Sequence, residues 1–252
     1  MPNIRFGDID FSRDGAYVWG AGQYSAPARS VDFIEVPGRN GDLLIDNGNY
    51  TNTKAIFDVV ITKDVKENTD RLKYLLYSQK GYQKLYDSDL KGFYRMASFN
   101  DGFEILSTEG GVVRIEFDCK PFKYDIAGED AVVVEGLATS SGLSYFYNPY
   151  FEDARPLIKV HTVDGVDTDY CYIEIISGLN DRQRIEFPKS GMGELIIDTE
   201  LQYAYRDLGP NGLQNCNSVV NTADIRLPCG QSTISVSGAI KSVEIVPRWR
   251  TI

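Results

Sequence analysis

Short strand-like runs separated by turn residues are the feature that most limits how this chain can fold. Runs of four to eight residues rich in Val, Ile, Tyr and Phe recur along the chain, and Gly, Asn, Asp and Pro interrupt them. Regularly spaced strands of this kind build β-sandwiches and β-barrels. The 16 Tyr and 12 Phe residues favour the same class, because aromatic side chains pack well on pleated surfaces.

One segment predicts a helix instead. Asp64 and Glu67 have the spacing of a capping box at a helix N-terminus. Three leucines then recur at helical intervals, namely Leu72, Leu75 and Leu76. We expect a helix that begins at Val65 or Thr69, ends near Gln79 and packs its leucine face on a sheet.

A domain boundary is expected near the middle of the chain. The alternating strand at 112–119 is predicted to stop at Pro121, because proline donates no hydrogen bond to a ladder. An acidic segment follows at 125–130. The sequence therefore predicts a mainly β protein, with a sandwich-like or barrel-like domain containing one helix over 1–125 and an antiparallel β-sandwich over 126–252. The last strand, 243–252, belongs either to the sandwich or to the first domain.

Bulk properties exclude several classes of protein. No apolar run approaches the roughly 20 residues that span a bilayer, and the N-terminal residues lack a secretory signal, so we expect a soluble protein made in the cytoplasm. The four cysteines are widely spaced, which favours reduced, buried thiols over a disulfide framework. The formal net charge of -10 argues against nucleic-acid binding, which requires a basic face.

A turn-rich segment at 36–50 leads directly into a strand at 54–61. Gly and Asn accept positive φ angles, so the segment predicts two tight turns that feed a sheet. Its marked residues are Pro37, Gly38, Arg39, Asn40, Gly41, Asp42 and, at its end, Tyr50.

Three segments, taken together, resemble the distal tail proteins (Dit) of bacteriophages with long, flexible, non-contractile tails. The first is the turn motif at 37–50. The second is the predicted helix with 81–87, 94–97 and 117–122, and the third is the closing pair 227–234 and 243–249. The joint order and spacing of these segments, which cover nearly the whole chain, carry the resemblance.

The resemblance implies a structural virion protein at the distal tail tip, assembled in the host cytoplasm. It implies a hexameric ring that joins the major tail protein to the tail-associated hub or lysin protein and to baseplate or receptor-binding proteins. The N-terminal domain, with a projecting hairpin, would form the ring, and a galectin-like or carbohydrate-module-like sandwich would face outward. We therefore expect 37–42 and Tyr50 to form an inter-subunit element. The alternative is a hairpin that closes the sheet of its own domain.

The net charge of the chain predicts the electrostatic character of the channel that such a ring would enclose. Six copies would carry six times the net charge of -10, and an acidic lumen would let DNA pass without specific binding. The alternative is ordinary solubilising surface charge.

No motif indicates catalysis, a cofactor or a metal. His161 is the only histidine, and no G-x-S-x-G nucleophile motif accompanies it. The acidic run at 164–169 could offer oxygen ligands to Ca²⁺, but it lacks the EF-hand order and is better interpreted as a hairpin turn. We expect a protein that is not an enzyme. A glycoside hydrolase with paired carboxylates is the least favoured alternative.

An aromatic cluster at 145–151 supplies the other candidate site. Tyr145, Tyr147 and Tyr150 could stack on sugar rings or contact a partner. The alternative is a strand that buries every second ring. The second candidate function is accordingly a carbohydrate-binding module that contacts the host cell wall.

Overall fold

The computed structural model describes residues 3–13, 15–100, 102–107, 109–135, 142–163, 170–178, 181–188, 194–220 and 225–252. The chain divides into two compact units, Met1–Lys123 together with Ile252, and Tyr124–Thr251. Strands dominate both units, and the described residues contain one α-helix. The predicted mainly β fold class is confirmed.

The first unit contains eleven strands and the helix. They are β1 (Ile4–Phe6), β2 (Ile9–Asp10), β3 (Ala16–Val18), β4 (Gln23–Tyr24), β5 (Arg29–Ile34), β6 (Leu43–Tyr50), β7 (Thr53–Ile61), α1 (Val65–Ser78), β8 (Gln83–Asp87), β9 (Phe93–Ser98), β10 (Phe103–Ser107) and β11 (Val112–Asp125), whose last two residues enter the second unit.

The main sheet of the first unit has the strand order β2-β1-β8-β9-β11-β7-β3, with β4 paired to β7 and β10 paired to β11. Alternate side chains of these strands point into one core, as in β7, where every second residue is buried. Phe6 and Phe117 meet there, with ring centroids 4.7 Å apart. Leu72 and Leu76 of α1 are buried in the same core, as the leucine spacing predicted.

The start of α1 differs from the capping-box prediction. Asp64 adopts a left-handed conformation with φ 42°, and its side chain makes no capping hydrogen bond. The Asn68 side-chain amide instead donates to the carbonyl oxygen of Lys63 at 2.7 Å. The predicted capping box is therefore wrong, although the helix begins at Val65 as expected.

The predicted strand end at Pro121 is also wrong, because β11 continues to Asp125. The ladder between β11 and β7 ends where Cys119 faces Thr53. Pro121 lies beyond that last pair, so the strand loses no hydrogen bond to β7 by having proline there.

Strands β5 and β6 form a separate two-stranded sheet and pair only with each other among the described strands. Their register places Phe33 opposite Leu44 and Ile34 opposite Leu43. An isolated two-stranded hairpin is marginally stable in water. The hairpin would therefore be more stable if another surface covered its exposed apolar side chains.

The second unit is an antiparallel sandwich. Its strands are β12 (Val132–Glu135), β13 (Gly142–Asn148), β14 (Leu157–Thr162), β15 (Tyr170–Ser177), β16 (Arg182–Pro188), β17 (Glu194–Asp198), β18 (Tyr203–Asp207), β19 (Leu213–Asn215), β20 (Gly230–Ser237), β21 (Ile240–Val246) and β22 (Arg250–Thr251). Short 3₁₀ turns lie at Ile126–Glu129 and Gly209–Asn211.

Two sheets build this sandwich around a shared core. One has the order β12-β21-β14-β17-β18-β19 and the other β13-β20-β15-β16, while β22 pairs with β11. The core includes Phe146, Ile173, Phe187 and Val243, with Trp249 packed against it. No helix in the described ranges is long and apolar enough to cross a membrane.

Candidate assembly and binding surfaces

The hairpin of β5 and β6 presents large apolar side chains on both of its faces. Phe33 is 64% exposed and its partner Leu44 is 54% exposed, and the two side chains share one face. Ile34 and Leu43 form a second exposed pair on the opposite face. A surface element with apolar side chains on both faces is suited to lie between two other surfaces.

Polar bonds hold the base of this hairpin in shape. The guanidinium of Arg29 donates to Asp46 at 3.1 Å. The same carboxylate accepts the backbone N–H of Gly48 at 2.9 Å. The Gly48 bond, with Arg29 adding to it, lowers the pKa of the Asp46 carboxyl. The side-chain amide of Asn47 donates to Asp32 across the strands at 3.1 Å. These bonds add to the strand pairing that defines the conformation of the hairpin.

The structure separates the turn residues predicted for an inter-subunit element into two places. Residues 37–42 form the exposed turn at the tip, where Gly38 and Gly41 take φ angles of 80° and 79°. The backbone N–H of Arg39 closes this turn on the carbonyl of Val36 at 3.1 Å. Tyr50 lies at the opposite end of β6, where its ring meets Phe122 edge to face at 5.8 Å.

Sequence reasoning did not single out the apolar pairs beside the turn. The signal was present, because apolar runs at 31–34 and 43–45 flank the turn motif on both sides. The face that each run presents depends on strand register, and the register that makes Phe33 and Leu44 neighbours depends on where the turn closes.

A second feature of the first unit is an apolar cavity of about 340 Å³ between α1 and the strands β10 and β11. The helix and strand residues that line it include Val65, Thr69, Asp70, Ile105, Ser107 and Val113. We call this cavity the α1–β10 groove. Ile105 of this lining is 52% exposed.

In the second unit, β13 carries two of the predicted tyrosines on its outer face. Tyr145 is 63% exposed and Tyr147 is 69% exposed, while Phe146 between them is buried in the core. Farther across the same face, the Arg184 guanidinium lies over the ring of Tyr172 at 4.0 Å from the ring centroid. The outer face of this sheet therefore carries exposed aromatic rings and, at a separate place, an arginine over a tyrosine.

Tyr150 does not share this face. Its hydroxyl donates to the carboxylate of Asp125 at 2.7 Å. Partial burial, together with this bond, raises the pKa of Tyr150 to about 12. Its backbone N–H donates to the Asn148 side chain at 3.0 Å, and Asn148 in turn donates to the carbonyl of Leu227 at 3.0 Å. Tyr150 therefore takes part in tying the end of β13 to its surroundings.

Of the residues considered for chemistry, the structure describes His161. His161 lies on β14 with its Nε2 atom 3.6 Å from a carboxylate oxygen of Glu244. The acidic run 164–169 lies outside the described residues. Within the part of the chain that the structure describes, no three His, Cys, Asp or Glu side chains are grouped as metal ligands.

The two units define a class of fold, in which a mainly β domain with one helix and an exposed hairpin precedes an antiparallel sandwich. A solved structure similar to this chain is the Dit protein of phage SPP1, described as a paradigm of the hub adsorption apparatus in phages that infect Gram-positive bacteria. It is similar to this chain with a TM-score of 0.68 over 100% of both chains, at 14% sequence identity. The chain therefore has a Dit-like fold.

Other comparisons add little. No protein-family model matches the chain, and no curated protein matches it by sequence. An exo-β-1,3-galactanase from Phanerochaete chrysosporium is similar at a TM-score of only 0.23 and 9% identity, covering 82% of this chain and 59% of the enzyme chain. A likeness this low supports no conclusion about fold or activity.

Proposed function

We propose that this protein is a structural component of a phage tail, which assembles as a hexameric ring at the distal end of the tail tube. The ring would join the tube to the hub and adsorption proteins. The observation that carries the proposal is the hairpin of β5 and β6, whose two faces both expose apolar pairs in a chain with a Dit-like fold. The proposal requires no bond-making chemistry.

Energetics favour the hairpin as the ring-forming element. Full burial of a Leu, Ile or Phe side chain contributes about 1.5–3 kcal/mol. Because Phe33 and Leu44 are more than half exposed, covering this pair alone contributes about 2–3 kcal/mol per interface. The pair Ile34 and Leu43 on the other face adds a comparable amount. In a closed ring this contribution recurs at every subunit contact.

The tip residues 37–42 take part in this proposal as the turn that brings the two apolar runs into register. Tyr50 contributes at the base, where it packs on Phe122. The ring would enclose DNA without binding it specifically, in line with the net charge of -10 per chain.

Electron microscopy and light scattering of the purified full-length protein test the proposal. We expect six-fold rings and a hexamer mass. Phe33→Asp combined with Leu44→Asp should yield folded monomers, because the two carboxylates that each hairpin brings to a subunit contact cannot be desolvated there. Leu213→Asp, at an exposed position in the second unit, is the matched control and should leave the rings intact. A protein that stays monomeric at high concentration and also alongside its tail partners would refute the proposal.

A second candidate function, saccharide binding by the second unit, is favoured by one observation. Tyr145 and Tyr147 stand side by side on an exposed face, which is how aromatic platforms receive sugar rings. Pull-down with purified cell-wall polysaccharide tests this function. Binding should be lost in Tyr145→Ala and Tyr147→Ala and kept in Tyr74→Ala, a control on the exposed face of α1. Equal retention by all variants would remove this candidate.

A further inference from the structure

The α1–β10 groove has the size and chemistry of a receptor for apolar side chains. An apolar cavity of about 150 Å³ is enough to bind benzene and stay dry. At about 340 Å³, the groove can take one aromatic ring together with an aliphatic side chain. Val65, Ile105 and Val113 supply apolar wall, and Thr69 is nearly buried. The other lining residues, Lys66, Asp70 and Ser107, are polar.

The strand at the side of the groove is open to further pairing. Among the described strands, β10 pairs only with β11, so its outer edge offers backbone groups to another strand. Ile105 and Leu106 on this strand are exposed. An apolar groove beside an open strand edge suits an incoming β-hairpin with apolar side chains.

The chain itself provides a hairpin of that description. Phe33 and Leu44 are register partners on one face, so they present a benzene-like ring and an isobutyl group side by side. This pair matches the capacity of the groove. A cyclic ring requires two different surfaces on each subunit, since its contacts are head to tail. The hairpin is one such surface and needs a distinct counterpart on the next copy.

Charges at the two surfaces are complementary. Lys66 and Asp70 of α1 lie at the groove and offer one charge of each sign. Near the hairpin tip, Glu35 and Asp42 can face Lys66, and Arg39 can face Asp70. All three tip side chains are exposed. Pairing of this kind sets the direction in which the hairpin enters.

We propose that the α1–β10 groove of each subunit receives Phe33 and Leu44 from the hairpin of a second copy of this chain. The inference rests on the proposed ring, and it adds the identity of the receiving surface. It makes α1 an assembly element as well as part of the core, because one side of the helix packs on the sheet and another lines the groove.

Site-directed cross-linking of the full-length chain tests the proposal. The exposed native thiol is first removed by Cys229→Ser, which leaves three buried cysteines. Leu44→Cys and Ile105→Cys are then introduced together, and a short bis-maleimide joins thiols that lie close together. We expect a ladder of covalent oligomers that ends at six copies. Leu44→Cys with Leu213→Cys is the matched control and should give no ladder.

Mixing the two single variants shows which chains are joined. Leu44→Cys and Ile105→Cys should each remain monomeric under denaturing conditions after treatment alone, and should give cross-linked dimers when assembled together. Cross-linked monomers in the double variant, with no ladder, would mean that the hairpin occupies the groove of its own chain. That result would overturn the proposal.

The same samples separate failure of the groove from failure of the ring. Six-fold rings in the microscope without cross-links between positions 44 and 105 would overturn the groove and leave the proposed function standing. Absence of rings, both at high concentration and alongside the tail partners, would overturn both. A third variant, Ile105→Asp, should lower ring yield at least tenfold while circular dichroism stays unchanged, and undiminished ring yield would also contradict the groove.

Discussion

Replacing Arg248 by methionine should destabilise the second unit by about 3 kcal/mol. Arg248 makes a two-bond ion pair with Asp198, Nη1 to Oδ1 at 2.9 Å and Nη2 to Oδ2 at 3.0 Å. The side chains are only 23% and 9% exposed. Arg248 also adopts a φ angle of 56°, and its backbone N–H donates to the carbonyl of Gly128 at 2.8 Å. The pair thus fixes the segment after β21 to the end of β17.

The size of the effect follows from what the substitution leaves behind. Removing one member of a buried ion pair costs about 3–5 kcal/mol, because the other charge stays desolvated and unpaired. Asp198 keeps two backbone hydrogen bonds, from the N–H groups of Glu200 and Leu201, both at 3.1 Å. These bonds compensate part of its charge, which places the expected cost at the lower end of that range.

Urea unfolding followed by tryptophan fluorescence measures this cost. The chain has two tryptophans, of which Trp19 is exposed while Trp249 packs against the core of the second unit. The signal therefore reports mainly on the second unit. The control is Arg184→Met, which breaks the pair with Glu186 in the same unit, where both side chains are about half exposed, at 46% and 54%. It should cost less than about 1 kcal/mol.

A double-mutant cycle with Asp198→Asn completes the test. Arg248→Met and Asp198→Asn should each be strongly destabilising, and their combination should cost clearly less than the sum, because neither charge is then left alone. Equal costs for Arg248→Met and Arg184→Met would refute the reasoning, since burial would then have no bearing on the strength of the pair.

Three further predictions concern thiols, alkaline pH and glycine. In the native protein, Ellman's reagent should modify Cys229 alone, because the other cysteines are buried and burial raises the pKa of Cys119 to about 12; a second fast-reacting thiol would contradict this. Cys119 and Tyr150, with pKa values raised to about 12, hold their protons to higher pH in the folded than in the unfolded chain. Their stabilisation should be complete below about pH 9 and lost as pH rises toward 12, with a falling Tm; a flat alkaline profile would count against it. Gly111→Ala should lower the free energy of unfolding by about 2 kcal/mol or more, because φ is 61° and a Cβ atom would lie 2.2 Å from the Ile61 carbonyl oxygen. Gly38→Ala is the control, with φ 80° and open space around the new Cβ atom, and should cost about 1 kcal/mol in the same unfolding assay.

The fold class could be predicted from the sequence because it depends on local patterns. Alternating runs such as 112–119 form strands, and Leu72 and Leu76 lie on the buried face of the helix. Hydrophobic periodicity is set by the geometry of each element alone. The predicted strand end at Pro121 was wrong because the end of a strand depends on the neighbouring strands as well as on its own residues. Pro121 does not end β11. It lies beyond the last residue pair between β11 and β7, Cys119 with Thr53, so β11 loses no hydrogen bond to β7 there.

The candidate surfaces were less predictable for the same reason. The turn at 37–42 is a local feature, but the pairing of Phe33 with Leu44 depends on strand register. The residues that line the α1–β10 groove lie about 40 positions apart in sequence, so no single segment predicts it. Tyr150 was grouped with Tyr145 and Tyr147 by proximity in sequence. A bend after β13 directs it to Asp125 instead, which only tertiary structure reveals.

The separate pairing of β5 with β6 has an evolutionary consequence. Because this hairpin forms no ladder with the main sheet, substitutions near its tip leave the packing of the first unit unaffected. In the proposed ring, contacts between copies can then drift and compensate one another while the core stays under its own selection. Lineages built this way could diverge until their chains no longer recognise each other, yet keep the same architecture.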